Sequence, residues 1–254
     1  VNIRSQEAVV DTQFGPRASS YATSSVHSSG EDLETLKHLV GDRPDAIALD
    51  LGCGGGHAAY VLAPRVARVI AYDLSQAMVD VTRTEARRRG LDNLEVRQGV
   101  AEKLPFDDAS FDIVVSRYSV HHWHDAEAGL REARRVLKPG GWAVFMDVVT
   151  PGLPLLDTWL QSLELLRDPS HVRNYTLAEW QGMAAAAGFR PAMTRCHRIR
   201  LEFQPWIERM NTPAPQVAAI RALQSIAPED VTRYFEVEGD GSFSVDSMLM
   251  QVQG

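Results

Sequence analysis

Residues 46–56 read AIALDLGCGGG, and no other stretch restricts the architecture as strongly. The first six form a short, nearly all-apolar run of the kind that becomes a buried strand. The next five contain four glycines, which let the backbone turn tightly and approach a ligand without side chains in between. Residues 57–66 that follow can form a helix. A strand running through glycines into a helix points to an open α/β sheet, whose ligands lie beyond the C-terminal ends of the strands.

The rest of the chain repeats this alternation. Strands are predicted over 67–73, 94–99, 111–117 and 142–149, and helices over 75–89 and 125–137. Upstream, EDLETLKHLV (31–40) has apolar residues at helical spacing and stops at the breaker GDRPD. Beyond Pro151 the pattern gives helices over 154–167 and 176–187, a strand over 193–203 and a last strand-like run over 243–250. Helical material between the last two is interrupted by Pro205, Pro213 and Pro215. The expected division is an N-terminal helical arm or lid (1–40), an α/β core (41–150), and a C-terminal part of the same domain (151–254). That last part is expected to add edge strands and helices stacked over the ligand end of the sheet.

Composition narrows the function. A formal charge of −7 argues against a broad nucleic-acid footprint, which needs a basic stripe. Cys53 and Cys196 alone make neither a disulfide framework nor a thiolate metal site. Neither a membrane-spanning apolar run nor a signal pattern is read, so the expectation is a cytoplasmic protein without stable membrane insertion. Oligomeric state is left open.

What the glycine turn holds follows from its neighbours. It lacks the G-K-[ST] ending of a triphosphate loop. Asp50 closes the preceding strand, where it repels pyrophosphate but suits an ammonium group. Asp73, 23 residues later at the end of the next strand, is where a carboxylate accepts ribose hydroxyls. A ligand with a ribose, a cationic end and no phosphate is S-adenosylmethionine. A dehydrogenase would want a small residue at His57 and would leave Asp50 unexplained.

Four motifs in register, ALDLGCGGG, AYDLSQAMVD, AEKLPFDDASFDIVVSR and EARRVLKPGG, resemble those of class I S-adenosylmethionine-dependent methyltransferases over residues 46–149. QFGPRASSYATS is similar to the arm that precedes the core in the small-molecule group allied to the ubiquinone/menaquinone biosynthesis C-methyltransferases. SRYSVHHWHD and RDPSHVRNY extend the likeness to bacterial methyltransferases whose substrate is unassigned. The resemblance implies a Rossmann-like fold: a mostly parallel seven-stranded sheet with helices on both faces. It implies that Gly52, Cys53 and Gly54 pass under the methionine portion and that Asp50 contacts it directly or through water. Asp73 then holds the ribose, Leu74 and Met78 lie near the adenine, and Ala101 offers its backbone to the adenine edge. Ser116 and Arg117 border the methionyl end, and Tyr21 reaches the cofactor carboxylate. The family often has an Asp where this chain has Val100, so one charge-assisted bond to the adenine is missing unless Glu102 or a water replaces it.

Candidates for the chemistry gather in RYSVHHWHD (117–125), just past the fourth strand. The histidines at 121, 122 and 124 lack helical metal-ligand spacing, so no metal is expected. His121 or His122 can face the acceptor as a base while the other packs inside, with His122 the first choice for the base. Tyr118 stands beside them. Asp125 and His124 read as a helix cap. Trp123 can wall an aromatic or apolar acceptor, and Arg173, Tyr175, Trp206 and Arg209 can complete a lid with positive potential. Phe14 can close over the site. The expected activity is methyl transfer to a small, aromatic or anionic metabolite at carbon, oxygen or nitrogen. The alternative is a non-catalytic binder of S-adenosylmethionine or S-adenosylhomocysteine.

Overall fold

The computed structural model describes residues 4–15 and 30–254. Its centre is a seven-stranded sheet. Strands β1 (Arg43–Leu51), β2 (Val66–Asp73), β3 (Leu94–Gln98), β4 (Phe111–Arg117) and β5 (Leu137–Val149) are followed by β6 (Arg190–Leu201) and β7 (Phe243–Gln253). Their spatial order is β3-β2-β1-β4-β5-β7-β6. The first five pair in parallel, whereas β7 runs antiparallel to both of its neighbours, β5 and β6, so the sheet is mixed.

β1 is the first strand in chain order and the topological pivot of the sheet. It pairs with β2 on one side and β4 on the other, so the chain leaves it in one direction and returns on the opposite side. The two connections diverge at the C-terminal ends of β1 and β4 and leave a crevice there, the place where open α/β sheets bind ligands.

Side-chain alternation explains the two faces. Along β1, Leu49 and Leu51 join one apolar cluster, while Ala46 and Ala48 join the other. Helices α5 (Ala126–Val136) and α7 (Leu177–Ala186) cover the first face. Helices α2 (Glu31–Val40), α3 (His57–Leu62) and α4 (Gln76–Arg88) cover the second. α5 begins where Asp125 caps the amide of Ala128 at 2.9 Å, contributing about 1 kcal/mol, and buries Leu130 and Val136 at about 1.5–3 kcal/mol each.

The remaining helices, α6 (Pro154–Arg167), α8 (Phe203–Arg209), α9 (Ala214–Ser225) and α10 (Glu229–Tyr234), form a third cluster with β7. Trp159 stacks on Phe235 there, with ring centroids 4.7 Å apart.

One detail differs from the sequence reading. β7 is not an edge strand: it lies between β5 and β6, and its burial on both faces fits that interior place. Residues 99–110, between β3 and β4, form turns. In the arm a short helix, α1 (Gln6–Phe14), is started by Ser5, whose hydroxyl accepts from the Ala8 amide.

Candidate active site

The glycine turn after β1 is fixed by main-chain bonds. The amides of Gly52 and Cys53 both donate to the Tyr72 carbonyl on β2, at 2.8 and 3.0 Å. Gly52 has φ +74°, and a Cβ there would meet Ser119 Oγ at 1.9 Å. Gly54, with φ +50°, has nothing within 4 Å of its Cβ direction and borders a cleft. The turn is thus closed on one side by packing and open on the other.

That cleft encloses about 1060 Å³ with its mouth included. Asp73 at the end of β2 lies in it, each carboxylate oxygen accepting one backbone amide: Gly54 at 2.7 Å and Ser75 at 2.9 Å. Each oxygen keeps a lone pair for a ligand hydroxyl. Burial raises its pKa, opposed by those two bonds.

Asp50 is 1% exposed and accepts the Ala59 amide at 2.8 Å. Burial pushes its pKa up to about 7, and the neighbouring Asp73 charge adds to the effect. A cationic group beside Asp50 relieves that penalty, which is the observation by which an S-adenosylmethionine ammonium fits this end of the cleft. Cys53, Leu74, Met78, Val100, Ala101 and Glu102 also line it. Glu102 accepts from the Asp125 amide at 3.3 Å. Cys53 is kept as a thiol, because burial and the Asp73 and Asp50 charges push its pKa up.

A second cleft, about 1400 Å³ with its mouth, adjoins the first. The two share Phe14, Arg117, Tyr118 and His122. Arg117 is locked to Asp32 of α2 at 2.5 and 3.2 Å, both side chains being under 10% exposed. Tyr118 has φ +51°, a strained value for a non-glycine residue, and its hydroxyl pairs with Ser247 Oγ at 3.3 Å. Burial pushes the Tyr118 pKa up to about 12, so it stays a phenol at neutral pH.

The adjacent histidines diverge. His121 Nδ1 meets Asp147 Oδ1 of β5 at 2.6 Å. Burial opposes its protonation, but Asp147, with Glu164 and Asp168 behind it, outweighs burial and raises the pKa. His122, 4.2 Å away ring to ring, has Nδ1 3.2 Å from the Ser170 carbonyl oxygen. Burial and the neighbouring His121 lower its pKa to about 4. His122 is thereby a poor proton acceptor near neutrality, against its place as first choice for the base. Phe14 meets its ring edge-on at 5.0 Å.

Other expected site residues fall as follows. Ser116 lies in the sheet, 1% exposed, outside both cleft linings, and its Oγ is without a partner. Trp123 walls the cofactor cleft rather than the second, with Nε1 donating to Ser119 Oγ at 3.1 Å. Arg173 and Tyr175 line neither cleft. Arg173 is drawn away by Asp157 and Glu179, each at 3.2 Å, and Tyr175 packs toward Trp180. Trp206 and Arg209 line the second cleft. Tyr21 lies outside the described residues. Among the described residues no group of His, Cys, Asp and Glu side chains is suited to a metal, and no helix is long and apolar enough to cross a membrane.

The sequence reading missed Asp147, Arg167, Asp168 and Asn174. Asn174 lines the second cleft, is 2% exposed, and its side-chain NH₂ has no partner. Leaving such a donor buried and unpaired costs about 1–3 kcal/mol. The missed signal was the buried acid in the apolar run WAVFMDVV and the polar knot DPSHVRN after α6.

Comparison with known proteins bears on this geometry. The sequence profile of a methyltransferase domain matches residues 49–145. The uncharacterized protein YafE of Escherichia coli is 47% identical over 199 residues, spanning 78% of this chain and 96% of YafE. The uncharacterized methyltransferase YcgJ of Bacillus subtilis is 38% identical over 204 residues, 80% of this chain and 81% of its own. The YcgJ crystal structure superposes with a TM-score of 0.84 over 87% of this chain and 97% of that one, at 34% identity. A demethylmenaquinone methyltransferase of Chlorobaculum tepidum is 39% identical over 116 residues, which span 45% of this chain and 46% of the relative.

Proposed function

The chain belongs to the class I S-adenosylmethionine-dependent methyltransferases, and we propose that it methylates a small anionic or aromatic metabolite held in the second cleft. The observation that carries this reading is the shared wall: two clefts, one suited to a ribose and an ammonium, meet at Tyr118 and His122. S-adenosylmethionine, when bound, supplies an electrophilic methyl group on a sulfonium.

The chain's own residues then have distinct tasks. Asp73 accepts the ribose hydroxyls, and Asp50 faces the ammonium. Gly52, Cys53 and Gly54 lay their backbone beneath the methionine portion. Leu74 and Met78 flank the adenine, and Ala101 offers its main chain to the adenine edge. The Val100 side chain supplies no acceptor there, and Glu102 stands beside it. α1 supports water exclusion: Gln6 Nε2 donates to the Ser170 carbonyl at 2.7 Å, and Val10 and Phe14 border the cofactor cleft. Trp206 and the guanidinium groups of Arg167 and Arg209 favour an aromatic or anionic acceptor. The acceptor atom is carbon, oxygen or nitrogen.

Calorimetric titration with S-adenosylmethionine and S-adenosylhomocysteine tests the cofactor assignment. Saturable binding of both is expected, weakened about 100-fold by Asp73→Ala through loss of charge-assisted bonds to the ribose. Absence of binding to folded protein overturns the assignment.

A further inference from the structure

We propose that His121 and Asn174 form the proton-accepting and oxyanion-holding pair of the second cleft, and that the acceptor carries an acidic hydroxyl, an enol or a phenol. This rests on the methyl-transfer reading above. Both residues line the same cleft, and neither side chain is consumed by the cofactor site.

His121 is fixed as a base at one atom. Its Nδ1 lies 2.6 Å from Asp147 Oδ1, and Asp147 is itself held by the Val148 amide at 2.9 Å. A carboxylate at Nδ1 keeps the proton there, so the lone pair of the neutral ring belongs to Nε2. Asn174 is fixed by its main chain. Gln161 accepts from its amide at 3.1 Å and donates to its carbonyl at 2.6 Å, while its side-chain NH₂ has no partner. A held donor without a protein partner and a held base are what an oxygen needs as it loses a proton.

The charged surroundings favour the transfer. Asp147 from β5, Glu164 from α6 and Asp168 just after it all favour an imidazolium at His121, and the imidazoles of His122 and His171 are held neutral by burial. The step balances. The acceptor O–H bond breaks and its proton passes to Nε2 of His121. The freed electron pair, on oxygen or a conjugated carbon, bonds to the methyl carbon as the carbon–sulfur bond breaks and its electrons go to sulfur. The proton then leaves His121 for solvent.

The test uses 4-nitrophenol, whose ionised form is coloured, titrated into the S-adenosylhomocysteine complex. Expected is saturable binding with the ionisation constant of the phenol raised about tenfold by the neighbouring imidazolium. His121→Phe should abolish the increase, and Asn174→Ala should weaken binding about tenfold. His121→Gln serves if the phenylalanine variant does not fold, circular dichroism deciding. Failure of 4-nitrophenol to bind, or equal ionisation in wild type and the His121 variants, overturns the proposal. The two readings fail separately: Asp73→Ala weakens S-adenosylhomocysteine binding but leaves the colour change in the free protein. Loss of cofactor binding in wild type sinks the methyl-transfer reading without touching that readout.

Discussion

The two clefts meet at Tyr118 and His122 yet are made of different material. The cofactor cleft draws on turns that follow consecutive strands: Asp50 through Gly54 after β1, Asp73 and Leu74 after β2, and Val100 through Glu102 after β3. Its polar contacts are mostly backbone to carboxylate. The second cleft gathers side chains from α2, β4, β5, α6, β6 and α8, far apart in the chain, and its polar contacts are made by side chains, with one another and with distant main chain. A ligand common to a whole family can be gripped by main chain that tolerates substitution. A ligand that varies within the family is better served by side chains that can change one at a time.

The comparison can be broken most severely at the shared wall. Asp32→Asn takes a paired carboxylate from the buried Arg117 guanidinium, with an expected loss of about 3–5 kcal/mol. In a chain of this size the melting temperature should drop by about 6–20 °C, read by calorimetry. The double variant Asp32→Asn/Arg117→Met should recover part of it, since both charges of the buried pair are then removed.

Gly52→Ala separates the clefts. Its positive φ and the Ser119 contact make any Cβ costly, so S-adenosylhomocysteine affinity should fall at least about tenfold. Binding of 4-nitrophenol to the free variant should stay within about twofold of wild type. Equal loss of both ligands would show the clefts to be one cooperative site.

The histidine pair gives opposite pH dependences. The folded pKa of His122, about 4, lies below the unfolded value of about 6.5. Its contribution to stability is complete above about 6.5 and is lost as pH falls through about 4. For His121 the folded pKa is raised, so the Asp147 pairing contributes fully below about 6.5 and fades as pH rises through the folded value. Urea midpoints measured across pH should therefore fall less on the acid side in His122→Asn. In Asp147→Asn they should fall less on the alkaline side.

The smallest effect belongs to Asp50. With its pKa at about 7, binding a cationic ligand should release a fraction of a proton at about pH 6 and almost none at about pH 8.5. Calorimetry in buffers of differing ionisation enthalpy reads this. Equal release at both values would place the ammonium elsewhere.

Much of the fold was legible because it is set by local periodicity. The strand Phe111–Arg117 and the helices Glu31–Val40 and Pro154–Arg167 begin and end where the pattern puts them. α1 was not legible. DTQF carries no apolar period, and the helix is tied down by long-range bonds, Gln6 to Ser170 and Gln13 to the Met210 carbonyl. β5 starts at Leu137, earlier than its apolar run, because Phe111 pairs with Leu137 across a register irregularity no composition reveals.

The sequence by itself determined the alternating sheet, the glycine turn and the two acids at the ends of β1 and β2. Those rest on contacts between residues close in the chain or on adjacent strands, and they bring the cofactor family with them. Tertiary structure alone decided which of two adjacent histidines is basic. His121 and His122 share one turn, but only His121 has a carboxylate at hydrogen-bond distance, from β5, while His122 meets the Ser170 carbonyl and keeps Asp168 no nearer than 3.9 Å. It also decided that Arg173 turns to Asp157 and Glu179 while Asn174, the next residue, enters the cleft. Burial and distant charge set both outcomes, and neither is a property of a residue's neighbours in sequence.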